Sequence, residues 1–200
     1  MNRKFAVVDG SNIATEGRST PSLAQLDQAV RQFQEQFPDK QVIVVVDATF
    51  GHRIDESERA AFDEAVANGE VVSPPAGAIG RGDAFLLRVA ERVQGQVLSN
   101  DSFQEFHGEH PWLFEEDVLI GGTPVPGVGW IFTPRTPVRG PRSRAARAAA
   151  ESFPKSVGVS GGAAAPDASK KAPVAKAAKP LKTAKSAKPV KAAQAGGART

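Results

Sequence analysis

The amino-acid sequence predicts an α/β domain with a mostly parallel central sheet, followed by a disordered basic tail. In residues 1–134, short apolar runs typical of buried strands alternate with longer segments of helical spacing. Charge divides the chain as well. Residues 1–134 carry 10 Lys/Arg against 20 Asp/Glu, a net of −10, whereas residues 135–200 carry 15 against 2, a net of +13. We therefore place the folded domain at residues 1–135 and the Lys/Ala/Pro-rich tail at residues 136–200.

The first three predicted elements form a strand–helix–strand unit. Residues 5–8 (FAVV) are a short apolar run of the kind found in a strand buried on both faces. Thr20 is expected to cap a helix that carries Pro21 in its first turn and continues to Phe37. Residues 42–46 (VIVVV) are five β-branched residues in a row, which predicts a second buried strand.

The same alternation continues through the middle of the domain. Residues 56–67 are spaced as a helix, and residues 70–72 predict a short strand that leads into a glycine-rich loop. Asp83 is expected to cap the next helix, which spans residues 84–94. The following strand is predicted at residues 96–99. This β-α-β-α order favours parallel strands covered by helices.

The end of the domain and the tail have different patterns. A short helix is predicted after Ser102, and a final strand pair at residues 117–120 and 128–132, joined through residues 121–124. Residues 142–152 are alanine-rich and predict a short helix. Beyond Pro154 the Lys/Ala/Pro repeats offer too little apolar surface to offset chain entropy, so we expect disorder there.

Composition narrows the functional classes. The chain has no cysteine, which excludes disulfides, thiolate zinc sites and cysteine nucleophiles. No stretch approaches the roughly 18 apolar residues of a membrane span. The apolar run near the amino terminus is interrupted by Asp9, and is shorter than the roughly 7–15 residues that a secretory signal needs. We therefore expect a cytoplasmic protein with no membrane partner.

Four aspartates fall where one edge of the predicted sheet should lie. Asp9 and Asp47 directly follow strands, Asp101 comes shortly after a later strand, and Asp83 opens the helix before that strand. Ligands of open parallel sheets bind at the carboxyl ends of the strands. Each acid alone is explained as a helix cap or turn residue. Together they predict a metal site, and hard oxygen ligands suit Mg²⁺ or Mn²⁺.

Three motifs carry a resemblance to a known family. Residues 7–14 (VVDGSNIA), 81–85 (RGDAF) and 97–103 (VLSNDSF) resemble the three motifs of NYN domains, a branch of the PIN-like nucleases. The likeness is greatest to the NYN ribonuclease domain of regnase-type CCCH zinc-finger endoribonucleases, and covers about residues 3–135. It implies a PIN-like three-layer sandwich and Mg²⁺-dependent endonucleolytic cleavage of RNA. No zinc finger is present, so RNA targeting would fall to another segment, such as the basic tail.

The resemblance also implies roles for individual residues. Asp9, Asp83 and Asp101 match the metal-site acids of the family, and Asn12 matches an asparagine beside them. Two departures stand out. The relatives carry two adjacent aspartates in the second motif, whereas Gly82 occupies the first of these places here. They also lack an acid corresponding to Asp47, which is closer to the wider PIN pattern. We expect Asp47 to supply the charge lost at Gly82.

Other side chains have weaker signals. Arg81 and Arg53 are the cations nearest the motifs in sequence, and either is a candidate for holding a substrate phosphate. Trp112 and Trp130 are expected to pack in the core rather than to stack on bases. His107 flanks no acidic motif, and the sequence assigns it no role.

Several competing interpretations follow from the same sequence. Two of them fit the sequence poorly. A haloacid-dehalogenase phosphatase would need an acid where Ser11 stands. A dinucleotide-binding domain would need a glycine-rich turn after the first strand, which residues 10–12 (GSN) do not supply. The main alternative is a catalytically inactive RNA- or DNA-binding module that keeps the PIN-like fold. The tail predicts a polyanionic partner, most simply RNA, with DNA also possible. Alternatively, the tail folds back on the acidic domain.

Overall fold

The computed structural model describes residues 3–75 and 82–152, and it contains a six-stranded sheet. The strands are β1 (Phe5–Asp9), β2 (Gln41–Val45), β3 (Val71–Val72), β4 (Gln96–Leu98), β5 (Leu119–Val125) and β6 (Gly129–Arg135). The helices are α1 (Gly10–Thr15), α2 (Leu23–Gln36), α3 (Phe50–Arg53), α4 (Glu56–Ala67), α5 (Gly82–Val93) and α6 (Pro141–Ser152), with 3-10 helices at Gln104–Phe106 and Pro111–Phe114. The spatial order is β3-β2-β1-β4-β5-β6, and only the β5–β6 pair is antiparallel. The predicted mostly parallel α/β fold is confirmed.

Side chains of the central strand divide the core into two layers. Successive strand residues point to opposite faces, so Val8 packs on one side with Leu26 and Phe33 of α2. Val7 packs on the other side with Leu87 of α5. All of these apolar residues are fully buried. The sheet is therefore the middle layer of three, as the sequence predicted.

Helix α2 begins later than the sequence predicted. Its N-cap is Ser22 rather than Thr20, and the Ser22 hydroxyl accepts a hydrogen bond from the Gln25 amide at 3.3 Å. The carboxylate of Glu58, on α4, also accepts from the Leu23 amide at 2.9 Å. An acidic group from another helix thus stabilises this N-terminus, which local sequence could not reveal. The predicted α4 boundaries, in contrast, are confirmed.

The final strand pair is longer than predicted and forms a hairpin. Residues 121–124, expected to be the connection, lie inside β5, and the turn falls between Val125 and Gly129. Gly122 faces the rings of Trp130 and Phe132, whose nearest atoms would lie 3.1–3.2 Å from a Cβ at this position. The glycine therefore makes room for aromatic packing rather than a turn. Trp130 is buried, which confirms its expected packing role.

Helix α6 extends the folded region beyond residue 135. The predicted short helix is confirmed, with bounds Pro141–Ser152, and it lies against the 3-10 helix Gln104–Phe106. The first part of the segment assigned to the tail is thus helical. The remaining tail, residues 153–200, for which disorder was predicted, lies outside the described residues. Within residues 3–75 and 82–152, no helix is long and apolar enough to cross a membrane.

Candidate active site

Asp9 lies at the junction of β1 and α1 and is the most buried acid of the site. It is the last residue of β1 and the N-cap of α1, a six-residue helix that the sequence analysis did not predict. Its Oδ1 accepts a hydrogen bond from the Asn12 amide at 3.1 Å, and its Oδ2 accepts one from the Ser99 hydroxyl at 2.8 Å. Only 6% of the residue is exposed. Both carboxylate oxygens are therefore held in fixed positions.

Burial makes an ionised Asp9 costly. It raises the pKa of this carboxyl from 3.8 to about 7, and the nearby charges of Asp83 and Asp47 act in the same direction. The hydrogen bonds from Ser99 and Asn12 oppose the rise without cancelling it. Near neutral pH, Asp9 is thus poised between its neutral and charged forms, and a cation in the cavity would favour the charged form.

Asn12 acts through the loop that follows β4. Its Oδ1 accepts from the Asn100 amide at 2.8 Å, which ties α1 to this loop. The Ser99 hydroxyl accepts from the Asp101 amide at 3.0 Å, and Asp101 Oδ1 accepts from the Phe103 amide at 2.7 Å. Asn12 is therefore a positioning residue for the segment that carries Asp101.

Asp47 is held beside the same helix by its backbone. The Asp47 amide donates to the Ser11 hydroxyl at 2.8 Å, and Asp47 Oδ2 lies 3.8 Å from a terminal nitrogen of Arg53. A Cβ built on Gly82 would overlap Asp47 Oδ1. The carboxylate of Asp47 thus occupies the space that a side chain at position 82 would need. This contact supports the expectation that Asp47 replaces an acid at Gly82.

The four predicted aspartates line one cavity of about 360 Å³ at the carboxyl edge of the sheet, together with Asn12 and Arg53. Asp83 lies within the first turn of α5, not at its cap as predicted, because the helix already includes Gly82. Gly82, Asp83 and Asp47 are all partly exposed. Arg81, the other predicted phosphate ligand, lies outside the described residues.

The donor chemistry fits a hard divalent cation. Five carboxylates line one cavity, those of the four aspartates and Glu16, and the carboxylate with the raised pKa, Asp9, is affected by the charges of two others. Mg²⁺ and Mn²⁺ prefer such oxygen ligands. In the part of the chain that the structure describes, no three acidic or histidine side chains stand close enough to surround one ion. The residues available to hold a metal are Asp9, Asp47, Asp83 and Asp101, and Glu16 is a further carboxylate at the same cavity.

Several supporting residues were missed by the sequence analysis. Glu16 also lines the cavity, where its carboxylate accepts from the Asn100 side-chain amide at 2.8 Å. Arg135 donates to the backbone carbonyls of Ser99 and Asp101 at 3.1 and 3.2 Å. Ser99 and Asn100 belong to the third motif, so their short polar side chains were a usable signal. Arg135 had none, because its contacts depend on the β5–β6 hairpin returning to the loop.

The fold and the site together define a class of protein. A mostly parallel three-layer α/β domain with aspartates gathered at the carboxyl edge is the arrangement expected of the PIN-like class. The family model for the Zc3h12a-like ribonuclease NYN domain matches residues 2–118, and the chain belongs to this family. The resemblance found in the motifs is thereby confirmed.

Solved structures show a similar fold. One is the nuclear proteinaceous RNase P 2 from A. thaliana, with 19% identity, a TM-score of 0.49, and coverage of 67% of this chain and 30% of that chain. A second is the Arabidopsis thaliana nuclear protein-only RNase P 2, with 19% identity, a TM-score of 0.50, and coverage of 66% of this chain and 29% of that chain. The chain therefore spans less than a third of the length of these proteins. A search of curated proteins gave no match.

Proposed function

We propose that this protein is a metal-dependent endoribonuclease that hydrolyses RNA phosphodiester bonds at the four-aspartate cavity. Membership in a ribonuclease family supports the substrate and the reaction class. The carrying observation is the convergence of four acids on one cavity from segments far apart in sequence. A role in helix capping gives no reason for such convergence, and close like charges are unfavourable unless a cation offsets them.

Each acid has a distinct part in the proposal. Asp9 would be the central ligand, because its position is fixed by two hydrogen bonds and these bonds do not offset the cost of burying its charge, which a cation would offset. Asp47, Asp83 and Asp101 would complete the ligand set. When bound, Mg²⁺ or Mn²⁺ would lower the pKa of a water and stabilise the charge on the leaving oxygen. One of the more exposed carboxylates would accept the proton of the attacking water.

Arg53 lines the acidic cavity and is placed to hold a substrate phosphate. Its side chain is 45% exposed, and its ion pair with Asp47 is long at 3.8 Å. Such an exposed pair contributes little to stability, so its guanidinium can turn to a phosphate and bind two oxygens at once. The cavity is an open cleft at the sheet edge, which admits an internal stretch of RNA and suits endonucleolytic cutting.

The alternative is an inactive RNA- or DNA-binding module. Gly82 favours this alternative, since the family pattern expects an acid there. The spacing of the carboxylates also favours it, because within residues 3–75 and 82–152 no three potential ligands are close enough to hold one metal ion. The position of Asp47 argues against an inactive module, because its carboxylate lies in the space that a side chain at position 82 would need and so keeps the number of acids at the site the same.

A cleavage assay separates the two functions. The full chain would be incubated with internally labelled RNAs, structured and unstructured, in Mn²⁺, Mg²⁺ or EDTA. We expect internal cuts that need the metal and that disappear in Asp9→Asn. Asp63→Asn is the matched control, because Asp63 is exposed on α4 and does not line the cavity. Absence of cleavage by the wild type on every RNA would favour the binding module.

The basic tail is proposed to raise RNA affinity without changing the chemistry. Residues 153–200 hold 10 Lys/Arg and one acid, after the five arginines and one acid between positions 135 and 152 are subtracted from 15 and 2. The same charge would allow DNA to bind, and a cytoplasmic location, also proposed, is consistent with the absence of cysteine.

Two truncations test the tail. Deleting residues 153–200 should lower the salt dependence of binding, by about 0.7 in slope for each phosphate of single-stranded RNA that the tail neutralises, and leave the melting temperature unchanged. Deleting residues 141–200 should also lower the melting temperature, because it removes Ser143, which is buried against His107. Affinity titrations over a salt series and thermal melts supply both readouts. An unchanged slope in the shorter deletion would show that the tail makes no phosphate contacts.

A further inference from the structure

Helix α6 is attached to the loop that carries Asp101 through one buried histidine. Nε2 of His107 lies 2.6 Å from the Ser102 carbonyl oxygen, and Nδ1 lies 2.6 Å from the Ser143 hydroxyl of α6. Because a carbonyl only accepts, Nε2 carries the proton, and Nδ1 accepts from the serine. His107 and Ser143 are each 1% exposed. The helix is thus connected to the residue next to Asp101 by two short bonds shielded from water.

The backbone of α6 also approaches the same region closely. A Cβ built on Gly108 would overlap the Ala146 carbonyl oxygen and would lie 2.9 Å from the Ala150 Cβ. No side chain fits between the loop and the helix at this point. Close packing and the His107 contacts together give α6 a defined position relative to the aspartates.

A second cavity connects the helix to the acidic site. It has a volume of about 450 Å³, and its lining residues include Asp83, Asp101 and Arg142 of α6. Arg142 Nη1 lies 3.4 Å from Glu105 Oε1, and the arginine side chain is 77% exposed. A pair this exposed is weak, and a phosphate offers the guanidinium a bidentate partner of higher charge.

Charge along the helix fits a polyanion. Arg142, Arg144 and Arg147 lie on α6, and Glu151 is its only acid. The domain before it has a net charge of −10, from 10 Lys/Arg and 20 Asp/Glu in residues 1–134. An RNA strand that enters the aspartate cavity is repelled there and needs cations close by. Helix α6 supplies them in a fixed place beside the site.

We propose that helix α6 is a phosphate-binding track for the RNA strand on one side of the cut bond, with Arg142 contacting the phosphate nearest the aspartates. This inference rests on the proposed ribonuclease function, since it takes the acidic cavity as the place of cutting. It differs from the role proposed for residues 153–200, because it depends on the position of the charges and not only on their number.

Binding of a fluorescent single-stranded RNA in EDTA tests the track without cleavage. In the full chain, Arg142→Gln should weaken binding about fivefold and reduce the salt slope by about 0.7, as expected when one solvent-exposed ionic contact with a phosphate is removed. Arg59→Gln is the matched control, since Arg59 is an exposed arginine on α4 and its replacement should change affinity less than about twofold. Replacing Arg142, Arg144 and Arg147 together should cost more than about tenfold. Equal effects of Arg142→Gln and Arg59→Gln would overturn the proposal.

A variant that keeps every charge tests the importance of position. Gly108→Val should displace α6, because its side chain would overlap Ala146, and we expect affinity to fall at least about threefold at unchanged net charge. Circular dichroism would establish that this variant is folded; if it is not, Ser143→Ala removes only the hydroxyl contact with His107 and should show a smaller decrease. Unchanged RNA affinity in a folded Gly108→Val variant would overturn the proposal. Binding through α6 without cleavage in Mn²⁺ would instead contradict only the ribonuclease function.

Discussion

Replacing Asp9 with asparagine should abolish cleavage and, in the absence of metal, stabilise the fold. Mutation of an outer residue that supports a metal ligand costs about 10- to 100-fold, so replacement of the central ligand should cost more than about 100-fold. The amide preserves the shape and the contact with Asn12, from which its oxygen still accepts, and it reverses the contact with Ser99, since its nitrogen donates to the hydroxyl. It removes the cost of a buried charge.

The sign of the effect on stability follows from the raised pKa of Asp9. Between about pH 3.8 and pH 7, the folded protein keeps a proton on Asp9 that the unfolded chain releases. Stability in EDTA therefore falls as pH rises through this window, and the penalty is complete above pH 7. A rise of about three pKa units corresponds to up to about 4 kcal/mol at 1.36 kcal/mol per unit. The asparagine variant escapes this penalty.

Chemical denaturation of both proteins from pH 4 to pH 8.5 measures the difference. We expect nearly equal free energies of unfolding near pH 4 and a growing advantage for Asp9→Asn up to pH 8. Burial lowers the pKa of His107, which makes stability rise with pH toward 6.5, but this contribution is present in both proteins and cancels. Adding Mn²⁺ should stabilise only the wild type. A variant less stable than wild type at every pH would contradict the conclusion that burial makes the ionised Asp9 carboxylate unfavourable.

The edge of the sheet where the acids lie was predictable because it depends on topology alone. Parallel strands end on one side, so Asp9, Asp47 and Asp101 had to fall near each other once the strands were recognised from their apolar runs. Helix α1 was not predictable in the same way. Its six residues are too few to show helical periodicity, and its N-cap is the same Asp9 that the strand pattern had already used.

The features that the sequence did not reveal are those that depend on distant partners. His107 flanks none of the acidic motifs, yet it is buried against Ser143, 36 residues away. Gly122 was expected in a turn because glycine favours turns, whereas aromatic rings from the next strand explain its lack of a side chain. In both cases tertiary packing decides the role, and local propensity carries no information about it.

Asp47 and Gly82 should behave as an exchangeable pair. Because a Cβ at position 82 would overlap Asp47 Oδ1 and lie 3.0 Å from Asp47 Cγ, the two positions cannot both carry a carboxylate without movement. Gly82→Asp alone should displace the partly exposed Asp47 carboxylate and place two like charges side by side, and it should reduce cleavage at least about tenfold. Asp47→Gly alone should reduce cleavage by at least about 10- to 100-fold, the cost of removing a residue that only supports a ligand, because Asp47 is itself a proposed ligand. The double variant should recover most of the activity.

The wild type and its three variants form a double-mutant cycle that isolates the coupling between the two positions. If the two substitutions acted independently, their effects on cleavage would multiply, and the double variant would be the least active of the four. If an aspartate at position 82 replaces the one at position 47, the double variant should be more active than either single variant. Gly82→Ala separates the causes, since it adds the overlapping Cβ without charge and should displace the Asp47 carboxylate without adding a second acid. The rise in melting temperature on adding Mn²⁺ gives a readout besides cleavage, and it should disappear in Asp47→Gly and return in the double variant. If the rise persists in Asp47→Gly, Asp47 holds no metal, and its position beside Gly82 reflects packing alone. If the rise stays absent in a folded double variant, an acid at position 82 does not replace Asp47.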